Sequence, residues 1–263
     1  MTSFDSPLRY AVEHGVATIT LDRPEARNAF DQVMAESLLA ALKTAARDES
    51  VRVVVITGRG GAFSAGQDIH ELHAKESEIG PQAAGDELRY RFNPILLQIR
   101  SMDEPVIASI NGIATGAGLG IGLASDLRIA AESASFICAP HAIALIPGVG
   151  TTWMLPRLAG FGAASELALL GERIDANRAR ELGLVNWVVP DYELAGRTRD
   201  LADTLLKKPA SSLALTKRAL NRSLFAGFER HLAYEADLQE VAAADETHRT
   251  RLQAMIDRGA KRS

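Results

Sequence analysis

Four glycines stand at alternate positions in the stretch NGIATGAGLGIGLASD. The preceding segment, Val106–Ile110, has the pattern of a short buried strand, and the residues after Gly116 have that of the first turns of a helix. The first N–H groups of a helix lack partners within it. They can therefore hold a phosphate, or the negative oxygen that develops on a carbonyl during enolate or acyl-transfer chemistry. The alternative is that small residues are needed there for close helix packing.

A second glycine-rich exit follows an earlier buried segment. The run VRVVVI is continuous and β-branched, which is typical of a strand covered on both faces. Gly58, Gly60, Gly61 and Gly66 then interrupt the chain before Asp68 and the helical pattern IHELHAK. The sequence therefore predicts a second passage of small residues between a strand and a helix.

Other catalytic and metal-binding motifs do not fit this sequence. It contains no Gly-Lys dipeptide, which excludes a P-loop, and its glycine spacing does not match the dinucleotide fingerprint. Ser64 in GAFSAG is not a G-x-S-x-G nucleophile, and HELH lacks the i, i+4 histidine pair of the zinc motif. Cys138 is interpreted as a small buried apolar residue. We expect no metal ion and no separate cofactor.

Length and charge limit the class of protein. The chain has 263 residues, which suffice for one large domain, and a formal net charge of -4. This charge argues against a nucleic-acid or anionic-membrane surface. The single cysteine excludes an internal disulfide, and the first residues have neither a basic start nor an apolar run. We expect a cytoplasmic protein with no nucleic-acid or membrane partner.

Hydrophobic periodicity predicts an α/β body followed by a helical tail. Residues 10–21 predict a β-hairpin and residues 31–48 a helix, whereas residues 75–86 are polar and predict a mobile surface loop. We expect residues 1–190 to form the core and residues 191–263 a helical region that packs on this core or on a neighbouring subunit.

Five segments give the chain a resemblance to the crotonase superfamily, the enoyl-CoA hydratase/isomerase family. They occur in the family's order and extend from about Tyr10 to the C-terminus: LDRPEARNAF, GAFSAGQDI, NGIATGAGLGIGLASDLRIA, LIPGVGTTWMLPRLAG and ELALLGERIDANRARELGLVNWVV. Within the family, FSAGQD, FNPILLQI, ATGAG and GTTWMLPRLAG are similar to the branch that isomerises ring-epoxidised phenylacetyl-CoA. The resemblance implies an α/β fold, a spiral of repeated ββα units with a helical C-terminal region. It also implies a homotrimer or a dimer of trimers, and an acyl-CoA thioester as substrate.

The resemblance assigns a joint role to the two glycine-rich passages. The N–H groups of Gln67 and Ala117 occupy the positions that bind the thioester oxygen as it becomes an enolate oxygen. Backbone donors at a helix start suit this task, because they need small residues and no particular side chain. The other implied binding residues are Ala65 and Ile69 along the pantetheine arm, Arg27 near the adenine and phosphates, and Gly66, Asp68 and Gly116 beside the oxyanion position. For Arg27 the alternative is a solvated surface charge.

Departures from the family pattern fall on its acid and base positions. The two glutamates of the hydratases correspond to Gly120 and Pro140, and the aspartate of the ring-epoxide branch corresponds to Gly148. None of these residues can move a proton, so ordinary water addition by the two-carboxylate route is not expected. Gly120 and Pro140, with nearby apolar residues, instead predict a roomy, dry pocket for an aromatic or alicyclic acyl group.

Proton chemistry then depends on other groups. His141 stands one residue from the second vacated position and can titrate near neutrality, so it is the candidate base. The alternative is that its side chain points away, since adjacent strand residues face opposite sides. For Asp68 we favour a helix-start role. Four functions stay open: an isomerase or atypical hydratase that stabilises a thioester enolate, a decarboxylase, a thioester hydrolase, or a non-catalytic acyl-CoA-binding subunit.

Overall fold

The computed structural model describes residues 7–138 and 140–260. The strands in these residues are β1 (Leu8–Glu13), β2 (Val16–Leu21), β3 (Val53–Gly58), β4 (Ala62–Ser64), β5 (Val106–Ile110), β6 (Ile113–Thr115), β7 (Leu127–Ala131), β8 (Ser135–Ile137), β9 (Arg173–Asp175) and β10 (Trp187–Val189). The α-helices are α1 (Gln32–Ala45), α2 (Ile69–Ile79), α3 (Gln82–Asp86), α4 (Asn93–Ser101), α5 (Gly116–Ala124), α6 (Thr151–Leu170), α7 (Ala176–Glu181), α8 (Leu194–Leu206), α9 (Ala210–Ser223), α10 (Phe228–Ala243) and α11 (Glu246–Ala260).

Two sheets run through the body. The larger has the strand order β1-β2-β3-β5-β7-β10 and is parallel except for the β1–β2 hairpin. The smaller has the order β4-β6-β8-β9 and is parallel up to its last pair. Each of β3, β5 and β7 joins the larger sheet, and the next strand along the chain joins the smaller sheet before a helix begins. The structure thus confirms the spiral of ββα units.

The larger sheet separates two apolar clusters. Val54 and Ile56 face a cluster with the helices α1, α4 and α5, whereas Val53 and Val55 face a cluster with α8. Adjacent strand residues point to opposite faces, so a continuous apolar run is needed where both faces are covered. The prediction that strand β3 is covered on both faces is confirmed.

The helical tail packs on the body. On α8, Leu194 and Ala202 belong to the second cluster. On α9, Lys217 Nζ lies 2.7 Å from Asp126 Oδ2 and donates a hydrogen bond of 2.8 Å to the Glu104 carbonyl. Burial lowers the pKa of Lys217, and the neighbouring Asp126 carboxylate opposes this effect. The tail is helical as expected, and its boundary as a separate domain at residue 190 stays a prediction.

One segment differs from its prediction. Residues 75–86 were expected to form a mobile loop, but α2 extends to Ile79 and α3 begins at Gln82. A π-helical turn, Glu87–Phe92, then leads into α4. Inward-facing residues explain the difference, because Leu72, Ala83 and Phe92 are buried at intervals along this polar stretch. Tertiary packing therefore orders a segment whose composition resembles a loop.

Candidate active site

The first glycine-rich passage runs from β4 to α2 and is fixed by backbone hydrogen bonds. Phe30 N donates to the Gly66 carbonyl at 2.7 Å, and Asp68 N donates to the Phe30 carbonyl at 2.9 Å. Ala65 N donates to the carbonyl of Arg27 at 2.9 Å. The N–H of Gln67, between these bonded positions, has no acceptor among the residues that the structure describes. This donor is therefore free to bind a ligand oxygen.

The second passage is the junction of β6 and α5. Thr115 is extended, with φ of -139°, and its side chain does not cap the helix. Gly116 has φ of +51°, a value that L residues rarely adopt, and it begins the helix. Within residues 7–138 and 140–260, the N–H of Ala117 has no hydrogen-bond acceptor. The helix start thus offers a second unpaired donor.

The two passages touch each other through their glycines. A Cβ atom on Gly66, which has φ of +92°, would lie 2.9 Å from the carbonyl oxygen of Thr115 and 3.2 Å from Ala117 N. A Cβ atom on Gly118 would lie 2.6 Å from Ser64 Cβ. Close packing therefore requires these glycines, which was the alternative explanation for their spacing in the sequence. The same packing brings the two free N–H groups together.

Both passages open on one pocket with a volume of about 470 Å³. This size is typical of small-molecule sites. Its lining is mainly apolar and includes Ala65 and Gln67 of the first passage and Thr115, Gly116 and Ala117 of the second. The other lining residues are Ile69, Leu72, Ala84, Gly85, Leu88, Leu119, Cys138, Ala142, Ile143, Leu145, Ile146, Pro147, Gly148, Val149 and Thr151.

No residue of this lining, within the described chain, is Asp, Glu, His, Lys or Arg. Cys138 is buried, as predicted. Burial raises the pKa of its thiol, and a hydrogen bond with Thr151 opposes the shift. The thiol is therefore protonated at neutral pH, and the described part of the lining provides no carboxylate, imidazole or amine to accept a proton.

The space expected at Gly120 is filled. A Cβ atom there would lie 2.2 Å from the carbonyl oxygen of Val149 and 2.8 Å from Val149 Cγ1. The prediction that Gly120 widens the pocket is therefore wrong, because the Val149 backbone occupies the position of the missing side chain. Gly148 does line the pocket, and the nearest atom to its added Cβ is the mobile end of Leu88, at 3.1 Å.

The structure does not bring His141 into the pocket. The residue is exposed, and its Nε2 lies 2.7 Å from the carbonyl oxygen of Ala168. Its neighbours Ala142 and Ile143 line the pocket instead. The interpretation of His141 as the base is therefore corrected, because its side chain points away from the pocket. Pro140 begins a 3-10 turn, but its side chain lies outside the described part of the structure.

Two other predicted binding residues lie beside the pocket. Arg27 is exposed, has φ of +49°, and does not line the pocket. Asp68 caps α2 by accepting from the N–H groups of His70 and Glu71, and it pairs with Arg23 at 3.3 Å. Burial would raise the pKa of Asp68, but these partners together lower it. The favoured helix-start role of Asp68 is confirmed.

A buried polar network behind Gln67 was missed from the sequence. Gln67 Nε2 donates to Glu87 Oε2 at 3.0 Å, and Glu87 also contacts Lys75 at 2.8 Å and Arg91 at 2.6 Å. Arg91 in turn pairs with Glu71 at 2.7 Å. The i, i+4 spacings of Glu71 with Lys75 and of Glu87 with Arg91 were the signals available in the sequence.

Among the described residues, no group of three or more His, Cys, Asp or Glu side chains is placed to hold a metal ion. None of the helices in the described ranges is both long and apolar enough to span a membrane.

Comparison with known proteins supports the resemblance seen in the sequence. A family model described as enoyl-CoA hydratase/isomerase matches residues 11–261. The 1,2-epoxyphenylacetyl-CoA isomerase of Escherichia coli strain K12 is 38% identical over 252 residues, which are 96% of this chain and 95% of the relative. The short-chain-enoyl-CoA hydratase of Clostridium acetobutylicum is 30% identical over 247 residues, 94% of this chain and 93% of the relative.

Solved structures show the same likeness. The crystal structure of an enoyl-CoA hydratase from Bacillus anthracis has a TM-score of 0.89 and 31% sequence identity, with 96% of each chain covered. The crystal structure of an enoyl-CoA hydratase from Polaromonas sp. JS666 has a TM-score of 0.90 and 30% identity, with 95% of this chain and 97% of the other covered. The fold therefore matches over nearly the whole chain.

Proposed function

Because the chain belongs to the enoyl-CoA hydratase/isomerase family, we propose that it binds the thioester oxygen of an acyl-CoA with the N–H groups of Gln67 and Ala117. These donors stabilise the enolate that forms when charge moves onto that oxygen. The observation that carries the proposal is the contact between the two passages, which brings two unpaired N–H groups to the wall of one apolar pocket.

The proposed reaction is an isomerisation, or a hydration of atypical mechanism. Similarity to the isomerase from E. coli supports the first of these. A two-carboxylate hydration is disfavoured, since no Asp or Glu occurs among the described residues of the pocket lining. Preorganised backbone donors act on charge at the thioester oxygen whichever bond of the acyl group reacts, so they suit either reaction.

Decarboxylation is the second candidate, and the same absence of a base in the described lining favours it. When a 2-carboxyacyl-CoA loses carbon dioxide, the electron pair of the broken C–C bond passes into the thioester and forms the enolate directly. No side chain has to remove a proton for this step. The donors of Gln67 and Ala117 then have the same task as in the isomerase.

The proposed acyl group is apolar. Leu72, Leu88, Leu119 and Ile143 line the pocket, and the described lining provides no cation for a terminal carboxylate. We expect phenylacetyl-CoA to bind at least tenfold more tightly than adipyl-CoA, since an unpaired buried carboxylate is costly. Titration calorimetry with the two esters checks this, and equal affinities would contradict an apolar acyl site.

The deciding experiment follows deuterium at the α-carbon. Purified protein is incubated in heavy water with phenylacetyl-CoA and with methylmalonyl-CoA, and the products are read by mass spectrometry. Exchange into phenylacetyl-CoA supports enolate formation by proton removal, whereas carbon dioxide release from methylmalonyl-CoA supports the decarboxylase. Free CoA would indicate a thioester hydrolase. Binding without any of these changes would indicate that the protein is a non-catalytic acyl-CoA-binding subunit.

We also propose that the protein assembles as a homotrimer or a dimer of trimers. Large apolar side chains are exposed on α6 and in the helical tail of the single chain, among them Phe161, Leu170 and Phe228. Exposed apolar residues at this density are typical of interfaces. The tail would then serve both to pack on the body and to contact other copies.

A further inference from the structure

Glu87 is a buried carboxylate that the proposed reaction does not use. Its side chain is 5% exposed and belongs to the π-helical turn Glu87–Phe92. Transferring a carboxylate out of water is costly unless it is paired and hydrogen-bonded. Lys75 Nζ at 2.8 Å and Gln67 Nε2 at 3.0 Å donate hydrogen bonds to Glu87, and Arg91 Nη1 forms an ion pair with it at 2.6 Å. Two of these partners are cations, so their charges compensate a carboxylate at this buried position.

An ionised carboxylate accepts hydrogen bonds and donates none. The carboxamide of Gln67 must therefore present its NH₂ group, and not its carbonyl oxygen, to Glu87. The amide is planar, so this contact also fixes the position of Gln67 Oε1 on the opposite branch. That oxygen accepts no hydrogen bond from any residue in the described ranges.

The two sides of Gln67 face different environments. Gln67 lines the acyl pocket, whereas Glu87, Lys75 and Arg91 line a separate groove of about 340 Å³ that is bordered by α1, α2 and α3. Because the NH₂ group is bound to Glu87, which lines the groove, the free carbonyl oxygen is the branch available to a ligand in the pocket. The same residue supplies the backbone N–H proposed to bind the thioester oxygen, so this free acceptor lies close to the reacting part of the substrate.

We propose that Glu87 is a positioning residue that holds the Gln67 carbonyl oxygen as an acceptor in the pocket, so that the site prefers acyl groups with a hydroxyl donor near the thioester. This specificity rests on the proposed acyl-CoA function. A hydroxyl group gains a hydrogen bond from the fixed acceptor, and an acyl group of equal shape without a donor gains none.

Calorimetry with two CoA esters tests the preference. 2-Hydroxyphenylacetyl-CoA carries a donor, and 2-fluorophenylacetyl-CoA carries an atom of similar size with no hydrogen to donate. The wild-type protein should bind the hydroxy ester about fivefold more tightly, the effect of one neutral hydrogen bond. Mass spectrometry confirms that both esters remain intact.

Three variants assign the preference to the named residues. Gln67→Met keeps the backbone and removes the acceptor, so the affinity ratio should fall to about one. Glu87→Gln should also bring it to about one, because an amide partner can donate or accept and thus permits Gln67 to flip. Glu71→Gln is the matched control. It removes a carboxylate of the same ion network that does not contact Gln67, and the fivefold ratio should persist.

A ligand-free measurement separates this inference from the proposed function. The side-chain amide signal of Gln67 is the one missing from the nitrogen-15 spectrum of Gln67→Met. Its hydrogens should exchange with water more slowly in the wild type than in Glu87→Gln. Equal exchange rates, equal binding of the two esters by the wild type, or a ratio that survives Glu87→Gln would each overturn the inference. Failure of every CoA ester to bind would overturn the proposed function and the specificity, while the exchange rates still report on Glu87.

Discussion

Gly66 is the residue through which the two passages meet. With φ of +92° and only 2.9 Å between its added Cβ and the Thr115 carbonyl oxygen, it has no room for a side chain. We expect Gly66→Ala to displace the Gln67 N–H from the pocket and to weaken phenylacetyl-CoA binding about tenfold, the effect of a lost hydrogen bond with added strain. Titration calorimetry measures the change.

Gly61 offers the matched control for this substitution. An added Cβ at Gly61 meets no atom within 4 Å, and its φ lies outside the left-handed region. We expect Gly61→Ala to bind the ester as the wild type does. If both alanine variants bind equally well, then the contact at Gly66 does not set the donor geometry.

Gly148 and Gly120 differ in their capacity for a carboxylate. Gly148 lines the pocket, and the three atoms nearest to an added Cβ there all belong to the flexible side chain of Leu88. We therefore expect Gly148→Asp to raise α-deuterium exchange into phenylacetyl-CoA by about 100-fold, the usual contribution of a general base. At Gly120 the Val149 carbonyl leaves no space, so Gly120→Glu should gain no exchange and should lower the unfolding free energy by about 3 kcal/mol.

Two assays check this pair of variants. Mass spectrometry gives the exchange rate, and urea denaturation gives the free energy of unfolding. Faster deuterium exchange in Gly120→Glu than in the wild type would show that the Val149 backbone moves to make room for the side chain. No gain in a folded Gly148→Asp would show that this pocket wall lies too far from the α-carbon.

At the level of the element, the start of α2 depends on the charge of Asp68. Burial alone would raise the pKa of this carboxyl, but the N–H groups of Glu71 and His70 and the Arg23 guanidinium lower it. A lowered native pKa adds stability that is present above the unfolded pKa, near 4, and is lost as the pH falls through the native value.

Asp68→Asn keeps a cap acceptor and removes the charge. We expect it to lower the unfolding free energy by about 1 kcal/mol at pH 7. The difference from the wild type should shrink as the pH falls below about 4. Denaturant titrations across this range supply the measurement, and a difference that does not change with pH would rule out the charge as its source.

Sequence patterns located most elements because periodicity and caps are local properties. The hairpin of residues 10–21, the strand β5 and the helix α1 all depend on residues close in sequence. The order of residues 75–92 and the contact between Gly120 and Val149 depend on distant segments that meet only in the fold. For this reason the polar stretch was predicted as a loop, and the space at Gly120 was predicted as open.

At the scale of the whole molecule, exposed apolar side chains predict assembly. We expect sedimentation equilibrium to give three or six times the chain mass of 28.2 kDa. Phe228 is 77% exposed at the start of α10. Phe228→Glu should shift the equilibrium toward smaller species, since a charge in a packed interface is costly. A wild-type protein that sediments as a monomer would contradict the predicted assembly.

The contact between Gly120 and the Val149 carbonyl also constrains how this chain can evolve. A codon change that places glutamate at position 120 meets a filled space, so it is deleterious until the Val149 segment has first moved. A carboxylate at position 148 meets no such barrier. The two positions therefore differ in whether an acidic residue can be introduced without a change in the backbone. The backbone at Val149 excludes a carboxylate at position 120, whereas position 148 faces only a side chain that can move.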